Sequence, residues 1–308
     1  MNNLYDIIII GGGPGGYAAA LYAARAGLAT LVLEGIAAGG QLGQTHWIDN
    51  YPGFPEGIDG FTLAQQMQTG AHRFGAQTRY EQVTAVDLTV QPKKVETGRG
   101  VYYARALIFA TGAKPRPLGL PGETELVGKG VGYCAACDGM FYKGKTVVVV
   151  GGGNTAAGDA LLLSRVAKKV ILVHRRDSLR ATKVYHQALL DAPNVEILWN
   201  SAVTALHADE KLTGVTVEDL QTGTQKRIDC QGLFVSIGRL PNSSLAQGQL
   251  TLDAGGYIQT DSTTQTEIPG VFAVGDVRTT PLRQVVTAVA DGALAVHQAE
   301  IYLSGLEN

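Results

Sequence analysis

Hydrophobic residues cluster along the chain in short β-branched runs, each ended by glycines. Leu4 to Ile10 is apolar except for Asp6. A run with so little alternation suits a strand buried on both faces of a parallel sheet. Gly11-Gly12-Gly13-Pro14-Gly15-Gly16 follows, then an Ala- and Leu-rich stretch from Tyr17 to Ala26 that predicts a helix stopped by Gly27. Ala29 to Leu33 predicts a second strand, ending at Glu34. The pattern returns. Lys145 to Val150 reads as a strand, Gly151-Gly152-Gly153-Asn154-Thr155-Ala156 as a turn and Ala157 to Val166 as a helix. Lys169 to Val173 reads as a strand, ending at His174-Arg175-Arg176. Glu34 lies 18 positions after Gly16, and His174 lies 18 after Ala156. Two copies of one βαβ unit predict an α/β chain with two Rossmann-like dinucleotide-binding domains.

Shorter signals fill the remainder. Leu107 to Ala110 predicts a strand breaking at Thr111-Gly112, and Lys114-Pro115-Arg116-Pro117 predicts a crossing between domains. Val271 to Val274 predicts a strand meeting Gly275-Asp276, and Leu282 to Leu303 a broadly apolar helix.

Each copy carries chemistry at its turn. Gly11 allows a tight turn, Gly13 admits a pyrophosphate to the backbone, and Gly16 lets helix pack on strand, with Pro14 in the same cofactor-binding turn. The helix N-terminus offers unpaired N–H groups and a positive dipole end. Glu34 is placed to accept hydrogen bonds from a ribose 2′-hydroxyl. In the second copy Ala156 stands for the third glycine, which the fingerprint permits. The acidic position there is taken by His174-Arg175-Arg176, with Arg180 following. Guanidinium groups hold a 2′-phosphate that a carboxylate would repel. The first site therefore suits a dinucleotide with free ribose hydroxyls and the second suits NADPH.

Composition narrows the partners. Of 308 residues, 25 are Lys or Arg and 27 Asp or Glu, which excludes the basic excess that nucleic acid requires. Glycines number 40 without a collagen period, so they belong at tight backbone sites. The apolar runs fall far short of the ~18 residues of a membrane span. No basic leader precedes the first strand, and the expected compartment is the cytoplasm. Three cysteines are too few for a disulfide scaffold, yet Cys134-Ala135-Ala136-Cys137 is a C-x-x-C pair. Two buried structural thiols, half of a zinc site, and a redox pair are the readings open to it. Zinc needs a second paired spacing, which Cys230 and scattered histidines do not provide, so no metal is expected. A redox pair beside two dinucleotide sites makes an electron path, and Asp138 follows at once as a proton partner.

These segments closely resemble the low-molecular-weight thioredoxin reductases. Cys134 to Gly139, Gly151 to Ala156 and His174 to Arg180 carry the likeness. So do Gly39-Gly40-Gln41-Leu42, Asn50 to Phe54, Ala110-Thr111-Gly112-Ala113, Ile237-Gly238 to Asn242, Gly275-Asp276-Val277 and Arg283-Gln284-Val285 to Ala288. The resemblance spans essentially the whole chain. It implies a homodimer with a discontinuous FAD domain, 1–114 and 246–308, into which an NADPH domain, 115–245, is inserted. It implies an enzyme that passes electrons from NADPH through FAD and a Cys134–Cys137 disulfide to oxidised thioredoxin. Cys137 would face the flavin, Cys134 attack thioredoxin and Asp138 act as acid and base. Gly40, Gln41, Asn50, Ala110, Thr111, Gly112, Gly275, Asp276, Arg283, Gln284 and Val285 would join the first turn around FAD. Ile237 and Gly238 would join the second around NADPH. In the family the NADPH domain rotates, presenting first nicotinamide and then the disulfide to the flavin.

Two stretches depart from the family. Gly43-Gln44-Thr45-His46-Trp47 replaces a Thr-rich segment near the flavin, and Gly158-Asp159 replaces an acidic pair. An alternative within the family keeps FAD and the disulfide but takes electrons from ferredoxin or behaves like an oxidase. Arg175, Arg176 and Arg180 argue against it. A passive flavin-binding sensor is a third reading, and it has no need of the C-x-x-C pair. Cys230 reads as structural.

Overall fold

In the computed structural model, the apolar runs become central strands whose two faces are both covered. Residues 3–35, 39–45 and 47–306 are described; His46 lies outside them. The chain divides into two compact units, Met1–Lys114 with Leu240–Asn308, and Pro115–Arg239. The return to the first unit comes at Leu240, ahead of the position 246 expected from sequence. Both units are α/β, of the Rossmann type.

In the first unit, strand Leu4–Ile10 pairs in parallel with Thr30–Glu34 on one side and Gly100–Phe109 on the other. Gln77–Tyr80 extends the sheet beyond Thr30–Glu34, and Val271–Ala273 adds to Gly100–Phe109, both in parallel. The antiparallel strands Lys93–Thr97 and Val83–Asp87 continue from Gly100–Phe109. Ile8 and Ile10 enter one core with Leu31, Leu33 and Phe109. Ile7 and Ile9 enter another, with Val32, Ile108 and the helix residues Tyr17, Ala19, Ala20 and Ala23. Alternate isoleucines thus serve opposite layers, which is why residues 7–10 include no polar position. Each such side chain is worth about 1.5–3 kcal/mol.

The second unit repeats the device. Its parallel sheet runs Val195–Leu198, Lys169–Val173, Thr146–Val150, Gly232–Val235, Val131–Gly132. Val148 and Val150 face one core, Val147 and Val149 the other. An antiparallel sheet of Ser201–Ala208, Leu212–Asp219 and Gln225–Asp229 covers the first of these.

The two helices that follow the glycine turns begin earlier than propensity suggests. The first spans Pro14–Arg25 and the second copy's Asn154–Ser164. Gly15 and Gly16 are poor helix formers, but packing places them inside the first turn. The last helix is Val285–Gly305, opened by a capping box between Gln284 and Thr287.

Candidate functional site

The two glycine turns are built alike. Gly11 holds φ +109°, and a side chain there would strike the Ala110 carbonyl. Gly16 lies so close to the Gly11 carbonyl that a Cβ would fall 2.0 Å from it. Gly13, by contrast, faces open space just before helix Pro14–Arg25, whose first N–H groups have no partner within the helix. In the second unit Gly151 has φ +149° against the Ser236 carbonyl, Ala156 packs on Gly151, and Gly153 is open before helix Asn154–Ser164. Tight glycines that position an open amide-lined turn fit a pyrophosphate in both units.

The middle glycines, which sequence reasoning passed over, fix what stands beside each turn. A Cβ on Gly12 would meet the Glu34 carboxylate at 2.3–2.5 Å; one on Gly152 would meet the His174 ring at 2.0–2.5 Å. Glu34 and His174 are therefore register equivalents, as their equal spacing implied. Glu34 is buried, accepting from the Tyr17 hydroxyl at 2.7 Å and the Gly39 N–H at 2.5 Å. Burial raises its carboxyl above the ordinary range, against the pull of those two bonds. The Tyr17 hydroxyl also accepts from the Gln68 amide at 2.7 Å. His174 is buried as well, its Nε2 bonded to the Ser178 carbonyl at 2.9 Å. Burial lowers its pKa, and the charges of Arg180, Arg176 and Arg175 lower it further. The imidazole thus turns inward while Arg175, Arg176 and Arg180 are exposed. That leaves guanidinium groups free to meet a phosphate where the first unit offers a carboxylate.

Other residues expected around the first turn are tied to one another. Gly40 lies against Gly13, and Gln41 donates its amide to the Ala113 carbonyl next to Gly112. Thr111 donates to the Asn242 carbonyl at 2.7 Å, with Asn242 returning a bond to the Thr111 carbonyl at 2.9 Å. Asn50 donates to Gln284 at 3.0 Å, and Val285 packs with Leu42, Ile48 and Leu63. Arg283 stacks on Tyr257, 4.1 Å from the ring centroid. Gly275-Asp276-Val277 form a one-turn helix at the end of strand Val271–Ala273. Asp291 holds this turn: it accepts from the Gly275 N–H at 2.9 Å and pairs bidentately with Arg278. Asp291, Arg278 and Tyr17 carry no motif of their own, so nothing in the sequence marks them.

In the second unit Asn154 and Thr155 are exposed at the first helical turn. Ile237 packs at the core's edge, and the Gly238 carbonyl accepts from the Arg116 N–H. Cys134 and Cys137 form a disulfide with Cα atoms 5.3 Å apart. Both are half-buried, on the one-turn helix Ala135–Asp138 that Cys134 opens, and the Cys134 carbonyl accepts from the N–H groups of Cys137 and Asp138. The Asp138 carboxylate lies over Gly132, where a Cβ would come within 3.1 Å of it. Tyr133, just before the pair, donates to the buried Glu123, which also accepts from the N–H groups of Leu118 and Gly119. Cys230 is free and buried, its thiol pushed up to about 12 by burial and by Asp229, so it is inert at neutral pH. Among the described residues no cluster of His, Cys, Asp and Glu is arranged to hold a metal.

Known proteins share this organisation. A family model described as pyridine nucleotide-disulphide oxidoreductase matches residues 5–292. A thioredoxin reductase of Streptomyces clavuligerus is 47% identical, covering 99% of this chain and 96% of its own. One from Treponema pallidum is 43% identical with both chains covered in full. The crystal structure of thioredoxin reductase from Streptococcus pyogenes MGAS5005 superposes with a TM-score of 0.90 at 40% identity, covering 99% of this chain and 100% of that one.

Proposed function

The chain belongs to the pyridine nucleotide-disulphide oxidoreductase family, among its FAD-binding, NADPH-dependent thioredoxin reductases, and on that premise we propose how its residues divide the work. The backbone N–H groups of the turn from Gly11 to Gly16, Pro14 excepted, would hold the FAD pyrophosphate, and Glu34 would accept from the ribose. Gly275, Asp276, Arg283 and Gln284 line the remainder of that site. The backbone N–H groups of Gly151 to Ala156 would hold the NADPH pyrophosphate while Arg175, Arg176 and Arg180 would take its 2′-phosphate. When bound, FAD supplies the two-electron relay between nicotinamide and disulfide.

The disulfide chemistry is the chain's own. Cys134 and Cys137, once reduced, form a dithiol. The Cys134 thiolate attacks the disulfide of a thioredoxin, forming one mixed disulfide and releasing one thioredoxin thiolate. Cys137 then attacks Cys134, restoring the intramolecular disulfide and releasing thioredoxin as its dithiol. Asp138 takes and returns the proton. We read the working form as a homodimer and its compartment as the cytoplasm, where such dithiols stay reduced.

The observation that carries this reading is a half-buried disulfide beside an acid, in the same unit as an arginine-flanked dinucleotide turn. Anaerobic mixing of the FAD-loaded protein with NADPH tests it. Rapid bleaching of the flavin absorbance, followed by reoxidation on adding oxidised thioredoxin, is expected. No bleaching with NADPH, but bleaching with reduced ferredoxin, would favour the alternative donor.

A further inference from the structure

The loop that leaves strand Lys169–Val173 doubles back over the second glycine turn and is fastened to it. The Gly152 carbonyl accepts from the backbone N–H groups of Arg180, at 2.7 Å, and Ala181, at 3.1 Å. His174 Nε2 meets the Ser178 carbonyl at 2.9 Å, while Leu179 and Ala181 are buried in the core beneath. The last fastening is a side chain. Asn154, first residue of its helix, turns its Oδ1 to accept from the Thr182 N–H at 2.8 Å. Arg180 thus lies between two anchors, with its own guanidinium exposed.

An exposed arginine on an unfastened loop would lose conformational freedom on gripping a phosphate, and binding would be weaker by that amount. A loop already held in register loses less. Asn154 stands at the turn expected to hold the pyrophosphate, so its bond to Thr182 links the two phosphate-binding places of one nucleotide.

We propose that Asn154 is a positioning residue for 2′-phosphate recognition: through Thr182 it fixes the Arg180 loop and so sets preference for a 2′-phosphorylated nucleotide. The proposal rests on the NADPH reading of this turn. A neutral hydrogen bond of this kind corresponds to about a fivefold change in an equilibrium constant.

Isothermal titration of the FAD-loaded, full-length protein with adenosine 2′,5′-bisphosphate and with 5′-AMP measures this without turnover. Wild type is expected to bind the bisphosphate more tightly. Asn154→Ala is expected to weaken the bisphosphate about fivefold and 5′-AMP less than about twofold. Thr182→Pro removes the donor of the same bond, at a residue whose φ of −61° proline adopts. It is expected to give the same selective loss, and the double variant no further loss. Amide exchange of Arg180 to Thr182 should quicken in Asn154→Ala. Unchanged affinities, or equal losses for both ligands, would overturn the positioning role while leaving the NADPH reading intact. A wild type that does not distinguish the two ligands would overturn both.

Discussion

At Gly12 and Gly152, side-chain absence decides what the neighbouring strand can present. Glu34 and His174 occupy equivalent places, yet burial acts on them in opposite senses, raising the carboxyl and lowering the imidazole. The charged work in the second unit therefore falls to the exposed arginines. Exchanging Arg175 and Arg176 for alanine is expected to raise KM for NADPH roughly tenfold or more and KM for NADH less than about twofold, since bonds to ions are the stronger class. Equal effects in steady-state assays would remove the arginines from 2′-phosphate recognition. The equal 18-residue spacing made the Glu34–His174 equivalence legible in the sequence. The inward turn of His174 was not, because it follows from a carbonyl four residues on.

Asp159 shows a second residue-scale effect. It accepts from the Ser236 hydroxyl at 2.5 Å, and burial raises its carboxyl above the usual range, opposed by that bond and by the Arg239 charge. A carboxyl with a raised folded pKa holds its proton better in the native state than in the unfolded one. Its contribution to stability is therefore present below the ordinary aspartate range and lost as pH rises through the folded value. Asn at this position keeps an acceptor for Ser236 without the charge. Asp159→Asn is expected to raise the urea midpoint over wild type at about pH 7, the gain shrinking towards about pH 4. A pH-independent difference would locate the effect elsewhere.

At the scale of elements, two glycines inside helices make opposite demands. A Cβ on Gly292, in helix Val285–Gly305, would fall 2.3 Å from the Gly15 carbonyl, where that helix crosses Pro14–Arg25. Gly292→Ala is expected to lose about 1–3 kcal/mol in urea unfolding, because neither backbone gives way cheaply. Gly158, in helix Asn154–Ser164, meets only Tyr185, at 4.0 Å, so Gly158→Ala is expected to gain roughly 0.5–1 kcal/mol. The central strands were readable because both faces are apolar. Val83–Asp87, Lys93–Thr97 and the sheet from Ser201 to Asp229 are not legible from apolar runs. Their strands have partly exposed faces and mix polar with apolar residues, a weaker signal for reasoning from runs.

At the scale of the molecule, one βαβ plan serves twice, and the redox pair stands on the unit whose turn is flanked by arginines. The C-x-x-C spacing announced the disulfide, but not its supports. Gly132 beneath Asp138 and the Glu123–Tyr133 bond come from residues that motif reading treats as ordinary loop. Electron delivery to a protein substrate requires one of the two sulfurs to attack and the other to resolve. The decisive measurement is adduct formation with a thioredoxin activated at its own exposed thiol, using Cys134→Ser, Cys137→Ser and Cys230→Ser in parallel. A stable mixed disulfide is expected with Cys137→Ser, none with Cys134→Ser, no thioredoxin turnover by either, and wild-type turnover by Cys230→Ser. Normal thioredoxin reduction by either C-x-x-C variant, or an adduct formed by Cys134→Ser alone, would contradict these roles.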